Sequence, residues 1–302
     1  MENKIIDKLK IGYFADGPWS HIAFEKLIQD NSIEIAFICP RRDTRDASLM
    51  DYSKRYGIDY LEDCRINTAA SHELFKSYNC DLFVSMSFNQ IFKKDTIQLP
   101  RLSTINCHAG KLPFYRGRNI LNWALINDEK EFGITVHFID EGIDTGDIIL
   151  QRTYSISDDD NYATLLDVAH LECANVLYDA IKLLQSGNYQ RIDQKSIHPV
   201  GTYFGPRGIG DELIDWNTTS RELFNFVRAI SKPGPMAHTT VEGQLVKINK
   251  VALIPNAFPY KAIVGQIVGI KGESLIVKTA DTILSVEEFE TDAKIRIGSR
   301  FK

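Results

Sequence analysis

Short apolar runs alternating with amphipathic stretches constrain this chain more than any other feature. Lys10-Ile-Gly-Tyr-Phe-Ala15, Glu34-Ile-Ala-Phe-Ile-Cys39, Asp59-Tyr-Leu61 and Asp81-Leu-Phe-Val-Ser85 each read as a short strand. Between them the spacing predicts helices over about Ser20–Gln29, Ala47–Tyr56 and Ser71–Tyr78, with Ser20 as N-cap of the first after the break at Asp16-Gly17-Pro18. Strand, helix, strand in strict alternation argues for a parallel sheet joined by right-handed crossovers. Thr104-Ile-Asn106 reads as the end of a further strand, and Gly133–Asp140 alternates as another. Asp147–Ile156 continues as strand. Apolar residues at 165, 166, 169, 173, 176, 177, 180, 181 and 184 then predict a long helix stopped by Gly187.

The pattern changes after residue 200. Gly201–Gly210 reads as a linker or extended crossing, and Leu213–Ile230 as a helix with Asp215 as cap. Leu245–Ile254, Ile263–Ile270, Ser274–Thr279 and Thr282–Phe289 are short strands separated by turns, as in a small barrel. The expected fold is α/β: a Rossmann-like, mostly parallel sheet over residues 1–200, followed over 201–302 by a linker helix and a small OB-like C-terminal β-barrel.

With 302 residues, two domains are the prior. A 44% hydrophobic and 25% charged composition is ordinary for a globular chain. The formal net charge of -5 disfavours nucleic acid as the main partner. Five cysteines, none in C-x-x-C spacing, argue against a disulfide framework or structural zinc site and for free thiols in a reducing compartment. No apolar run reaches the length of a signal or membrane span. A soluble, cytoplasmic protein is expected, and a homo-oligomer is compatible with the sequence.

Three residues carry the chemistry. Asn106 and His108 lie two apart at a strand end, which projects both side chains to one side. In open α/β sheets that end faces the ligand crevice. Asp144 lies in Gly142-Ile-Asp-Thr-Gly-Asp147, at the other expected strand-to-loop junction. A histidine exchanges protons near neutrality, an asparagine amide steadies an oxyanion, and an aspartate orients an imidazole. Each residue type also has a structural use: His as a core side chain, Asn and Asp as turn formers. Ala109-Gly110 lets a ligand or another backbone approach closely. Arg116 and Arg118 are either solvated or a clamp for carboxylate or phosphate. The chain has no G-x-S-x-G elbow, no H-E-x-x-H metal motif, and no G-x-G-x-x-G after strand one.

Asn106-Cys-His108, Leu112-Pro-Phe-Tyr-Arg-Gly117 and Gly142–Asp147, in this order and spacing, resemble the folate-dependent formyltransferases. The resemblance is strongest over about residues 80–150 and extends weakly to the ends, where Ile214-Asp-Trp216 and Val227-Arg-Ala229 are similar to the start of the family's C-terminal barrel. It implies 10-formyltetrahydrofolate as formyl donor and an amine as acceptor. It further implies that Asn106 holds the tetrahedral oxyanion, His108 relays the proton and Asp144 supports the protonated His108. The pterin would rest against backbone at Gln90, Ile91 and Phe92 and at Asp140, Glu141, Gly142, Ile143 and Asp144, with Arg118 near the folate. No metal is implied.

The resemblance leaves the acceptor open. Enzymes acting on glycinamide ribonucleotide are usually single domains, so the extra barrel argues against that acceptor. Methionyl-tRNA formyltransferases share the two-domain layout, but their loop after the second strand is usually longer and basic, whereas Pro40–Asp46 is short and mixed in charge. Residues 201–302 hold 13 Lys and Arg against 11 Asp and Glu, which is thin for gripping a polyanion. Arg118-Asn-Ile-Leu-Asn-Trp123 is similar to sugar-modifying members. The expected acceptor is therefore a nucleotide-linked amino sugar of bacterial surface polysaccharide or lipopolysaccharide biosynthesis. Methionyl-tRNA is the alternative. A formyltetrahydrofolate hydrolase and a non-enzymatic scaffold on the same fold rank below both.

Overall fold

The computed structural model describes residues 6–302. The elements run β1 (Leu9–Ala15), α1 (Gly17–Ile28), β2 (Ile33–Pro40), α2 (Ala47–Tyr56), β3 (Asp59–Tyr60), α3 (Ala69–Tyr78), β4 (Leu82–Met86), α4 (Lys94–Ile97) and β5 (Thr104–His108). They continue with β6 (Arg116–Gly117), α5 (Ile120–Ile126), β7 (Glu131–Phe138), β8 (Ile148–Ser155), α6 (Tyr162–Ser186), α7 (Gln194–Ile197), β9 (Tyr203–Phe204) and α8 (Ser220–Ile230). Five strands complete the chain: β10 (Ala237–Val241), β11 (Gln244–Leu253), β12 (Ile267–Lys271), β13 (Ser274–Lys278) and β14 (Ile283–Glu290). Contacts divide the chain into two compact units. The first holds residues 1–117, 133–154 and 167–203; the second holds 118–132, 155–166 and 204–302.

The first unit is built on a seven-stranded sheet in the order β3-β2-β1-β4-β5-β7-β8. β1 to β5 are parallel, and β7 runs antiparallel to β5. The chain winds outward from β1 to β3, then returns to the other side of β1 with β4. Such a reversal opens a crevice beyond the carboxyl ends of the strands. β4 is buried at every residue and β1 at all but Lys10, as expected of strands covered on both faces. Phe14 meets Phe37, Phe75, Phe83, Phe88 and Phe92 edge-on, with ring centroids 5.1 to 5.6 Å away. Each such pair adds about 0.5–1.5 kcal/mol beyond the area it buries. Of the nine positions that predict the long helix, all but Leu166 are buried.

Two helix starts differ from the sequence expectation. α1 begins at Gly17, so Ser20 lies within its first turn and its hydroxyl donates to the Gly17 carbonyl at 2.8 Å. Pro18, pre-set for a first helical turn, and Asp46, whose carboxylate accepts the Gly17 N–H at 2.7 Å, start the helix three residues early. In the second unit the helix expected over Leu213–Ile230 starts only at Ser220. Thr219 and Glu222 form a reciprocal capping box there. The preceding residues serve the barrel instead: Leu213 bridges to His238, and buried Trp216 donates Nε1–H to Thr239 at 2.9 Å. Asp215 closes a local turn by accepting the Asn217 N–H.

The barrel strands pair antiparallel in the order β10-β11-β14-β13-β12. Residues 299–302 close the two open edges. Lys302 exchanges backbone hydrogen bonds with Thr240 beside β10, and the Ile267 N–H of β12 donates to the Ser299 carbonyl. These bonds cover part of both edges of the barrel sheet, which makes it a poorer template for another chain.

Candidate active site

Asn106 and His108 occupy the carboxyl end of β5, as the sequence leads one to expect. Register then adds a residue that sequence reading missed. Asn106 pairs with His137 and His108 with Thr135 across β5 and β7. Directly opposed residues on antiparallel strands share a face, so all four side chains point the same way. His137 and Thr135 are buried polar residues in a strand whose alternate positions, Ile134, Val136 and Phe138, are buried apolar. Two polar residues at one phase of a strand buried on both faces were the available signal.

Asn106 has a fixed amide. The Ser85 hydroxyl donates to its Oδ1 at 3.0 Å, and its Nδ2 lies 3.3 Å from His137 Nε2. His137 donates Nδ1–H to the Phe138 carbonyl at 2.8 Å, and its Nε2 lies between the Asn106 amide and the Asp144 carboxylate: the neutral ring accepts from Asn106, and the protonated ring donates toward Asp144. One Nδ2 hydrogen of Asn106 is left for another acceptor.

Asp144 stands between the two histidines. One oxygen lies 3.6 Å from His108 Nδ1, the other 3.5 Å from His137 Nε2. Gly117 N–H also donates to Asp144 Oδ2 at 2.9 Å. Burial alone would raise the Asp144 carboxyl, but the two histidines and this N–H outweigh it and hold the group well below the ordinary carboxylate value. The residue is ionised throughout the physiological range.

The loop of Leu112 to Gly117 wraps the other side of His108. His108 donates Nε2–H to the Tyr115 carbonyl at 2.7 Å. Gly110 makes this approach possible, since a Cβ there would lie 2.4 Å from the Tyr115 oxygen and 2.5 Å from His108 Nε2. The close approach expected after His108 is thus made by another stretch of backbone. Gly146 plays the same part in the Asp144 loop, where a Cβ would fall 1.9 Å from the Phe138 oxygen. Thr135 and Gln151 tie down the loop's start through the Gly110 and Leu112 carbonyls. Thr202 ties its end, accepting the Tyr115 N–H on its hydroxyl and the Arg116 N–H on its carbonyl.

The arginines separate. Arg116 spends its guanidinium internally on Gln194 and the Val200 carbonyl, so it is not a free clamp. Arg118 is exposed and belongs to the second unit. Gln90 donates to the Cys64 carbonyl and accepts from the Ile66 N–H, Ile91 is exposed, and the Phe92 ring belongs to the aromatic core. Asp140 caps its own loop through the Gly142 N–H and the Thr145 hydroxyl, and Glu141 and Ile143 are exposed. Among the described residues no group of His, Cys, Asp and Glu is arranged to hold a metal, and no helix is long and apolar enough to cross a membrane.

An asparagine amide, an imidazole and a largely buried carboxylate converging at the end of a parallel sheet, with a small barrel following, fit an acyl-transfer enzyme of the formyltransferase type. The chain belongs to the folate-dependent formyltransferases, which take their formyl group from 10-formyltetrahydrofolate: residues 38–181 match the formyl transferase family and 210–300 its C-terminal domain. It is 32% identical over 243 residues to the methionyl-tRNA formyltransferase of Pelotomaculum thermopropionicum, covering 80% of this chain and 76% of that one. Its fold is similar to a sugar 3N-formyl transferase solved in the presence of dTDP and 5-N-formyl-THF, with TM-score 0.69, 21% identity, and 95% and 99% of the two chains covered. It is also similar to the N-formyltransferase of Helicobacter canadensis in complex with folinic acid and dTDP-3-aminofucose, with TM-score 0.71, 21% identity, and 93% and 100% covered.

Proposed function

We propose that the chain transfers the formyl group of 10-formyltetrahydrofolate to the amine of a nucleotide-linked amino sugar, with Asn106, His108 and Asp144 as the catalytic residues. The amine nitrogen attacks the formyl carbon and forms the new C–N bond, and the carbonyl oxygen becomes an oxyanion. The uncommitted Nδ2 hydrogen of Asn106 is aimed to meet it, because Ser85 and His137 fix the amide. Collapse breaks the bond to N10 of the folate. The amine loses one proton and N10 gains one, and His108 relays it with no net change: its ring proton moves to Nδ1, toward Asp144, and Nε2 exchanges the Tyr115 carbonyl for the amine when the substrates bind. Asp144 faces the His108 ring as a permanent carboxylate and stabilises the imidazolium formed on the way. The pterin rests against the backbone of Gln90–Phe92 and Asp140–Asp144.

The observation that carries the choice of acceptor is the pairing inside the loop after β2. Arg41 is ion-paired with Asp43 and Arg42 with Asp63, at 2.6 and 2.7 Å. Charges neutralised at home release few counterions and give little grip on a polyanion. In the barrel, a cavity of about 410 Å³ is lined by Lys232, Asn249, Phe289 and four glutamates, with Lys232 paired to Glu290 and Lys250 to Glu287, so it offers no cationic excess to grip a polyanion. The Arg118–Trp123 run carries less of this argument than the sequence implied, since Leu121 and Asn122 are buried and the Asn122 amide donates to the Ala229 carbonyl. Coverage of 99% and 100% of the two sugar enzymes' chains also supports the reading. It would place the enzyme in bacterial surface polysaccharide synthesis.

Methionyl-tRNA is the second reading, favoured by the 32% identical methionyl-tRNA formyltransferase. One assay separates them: 10-formyltetrahydrofolate with charged initiator methionyl-tRNA, and separately with dTDP-, UDP- and GDP-linked 3-amino and 4-amino sugars. Formylation of a sugar amine is expected; transfer to tRNA alone overturns the choice. His108→Asn and Asn106→Ala should each lower turnover about a hundredfold or more while folding normally.

A further inference from the structure

Gln194 is 1% exposed, and its carboxamide is fully used. Nε2 donates to the Asp144 carbonyl at 2.8 Å and to the Gly146 carbonyl at 2.7 Å. Oε1 accepts from Arg116 Nε at 3.1 Å and from the second guanidinium nitrogen at 2.7 Å. Nothing in this arrangement is arbitrary. A guanidinium only donates and two carbonyls only accept, so the amide has one workable orientation, and that orientation satisfies two donors and two acceptors at once. The side chain is delivered by α7, whose start is capped by Asp193.

What Gln194 joins gives it meaning. On one side is the backbone of Asp144, which sits in the left-handed region at φ 55° and aims its carboxylate at His108 Nδ1. On the other is Arg116, next to Tyr115, whose carbonyl accepts from His108 Nε2. Gln194 therefore binds together the two loops that hold the two faces of one imidazole. It touches neither His108 nor the space where substrate would react.

We propose that Gln194 is a positioning residue of this active site: it locks the Asp144 loop to the Arg116 loop and so fixes the groups that face the two ring nitrogens of His108. The proposal rests on the catalytic reading of His108 and Asp144 given above. Gln194→Glu is the informative variant. It keeps the side-chain shape and an acceptor for Arg116, but turns a carboxylate oxygen toward two carbonyls and loses both donations. Gln194→Leu loses every bond, and Arg116→Met breaks only the opposite half.

The test measures formyl transfer to the amine identified by the acceptor panel, in Gln194→Glu, Gln194→Leu, Arg116→Met, Asp144→Asn and the Gln194→Glu/Asp144→Asn double variant, with thermal unfolding of each. Turnover is expected to fall about 10- to 100-fold in Gln194→Glu, the scale of a small misplacement of catalytic groups, with KM for 10-formyltetrahydrofolate within about threefold. In the Asp144→Asn background the same change should cost less than about threefold, because residues acting through one another are non-additive. A KM effect alone, or full additivity, overturns the proposal and leaves Gln194 as packing. Loss in Asp144→Asn with normal turnover in Gln194→Glu overturns only the role of Gln194; normal turnover in Asp144→Asn overturns the catalytic reading and the proposal with it. Should Gln194→Leu fail to fold, Gln194→Glu and Arg116→Met still decide. The ¹⁵N shifts of the His108 ring in the free enzyme, which report where its protons sit, provide a readout without acceptor: they should move in Gln194→Glu in the same sense as in Asp144→Asn, and unchanged shifts overturn the proposal.

Discussion

Asn106 and His137 face each other across β5 and β7, Nδ2 to Nε2 at 3.3 Å, and His137 is also 3.5 Å from Asp144. The amide read as an oxyanion donor and the carboxylate read as the partner of His108 are thus linked through a second, buried histidine. His137→Phe keeps the ring volume and removes both nitrogens. Losing one hydrogen bond on the order of 1 kcal/mol from Asn106 predicts about a fivefold fall in turnover at unchanged folate affinity. Turnover equal to the parent in steady-state assays would show that Asn106 needs no support from His137.

Gly110 sits where the Tyr115 carbonyl and His108 Nε2 meet. Gly110→Ala must push one of them away, and the carbonyl belongs to backbone that cannot yield cheaply. A loss of activity of about a hundredfold is expected, with the fold intact by circular dichroism. Ordinary activity would mean that the Tyr115 contact does not govern His108.

The depressed Asp144 carboxyl gives a pH signature. Burial opposes ionisation, and the neighbouring histidines and the Gly117 N–H more than reverse it, so the folded value lies below the unfolded value of about 4. Its contribution to stability is complete above about pH 4 and is lost as pH falls further toward the folded value. Denaturant unfolding should show the parent and Asp144→Asn differing most near neutrality, with the gap shrinking below about pH 4. A gap independent of pH would rule this linkage out.

Barrel closure depends on Phe301, which is buried and stacks on Trp216 with centroids 5.3 Å apart. Phe301→Ala should destabilise the chain by about 3–5 kcal/mol. The barrel strands should also lose hydrogen-exchange protection. Protection unchanged at β10 and β12 would show that the edges hold without it.

The mostly parallel sheet could be anticipated because its strands are buried on both faces and read as continuous apolar runs, as Leu82–Met86 does, whereas their order could not. The start of α8 was missed although Thr219 and Glu222 spell a capping box, because the apolar Ile214 and Trp216 before it suggest more helix but are buried outside any helix instead. Gln194 carries no local signal at all. It lies in a four-residue helix, 50 residues from Asp144 and 78 from Arg116, and nothing in the intervening chain records that these meet.

By itself the sequence determined the alternating architecture and singled out Asn106, His108 and Asp144 as the candidate chemical groups, because burial periodicity and short motifs are local properties. Only the tertiary structure decided what each nitrogen of His108 faces, that His137 and Ser85 hold Asn106, and that Gln194 fastens the two loops. Hydrogen-bond partners and the direction of a pKa shift depend on distances between atoms far apart in the chain, and those exist only once β5 and β7 are in register.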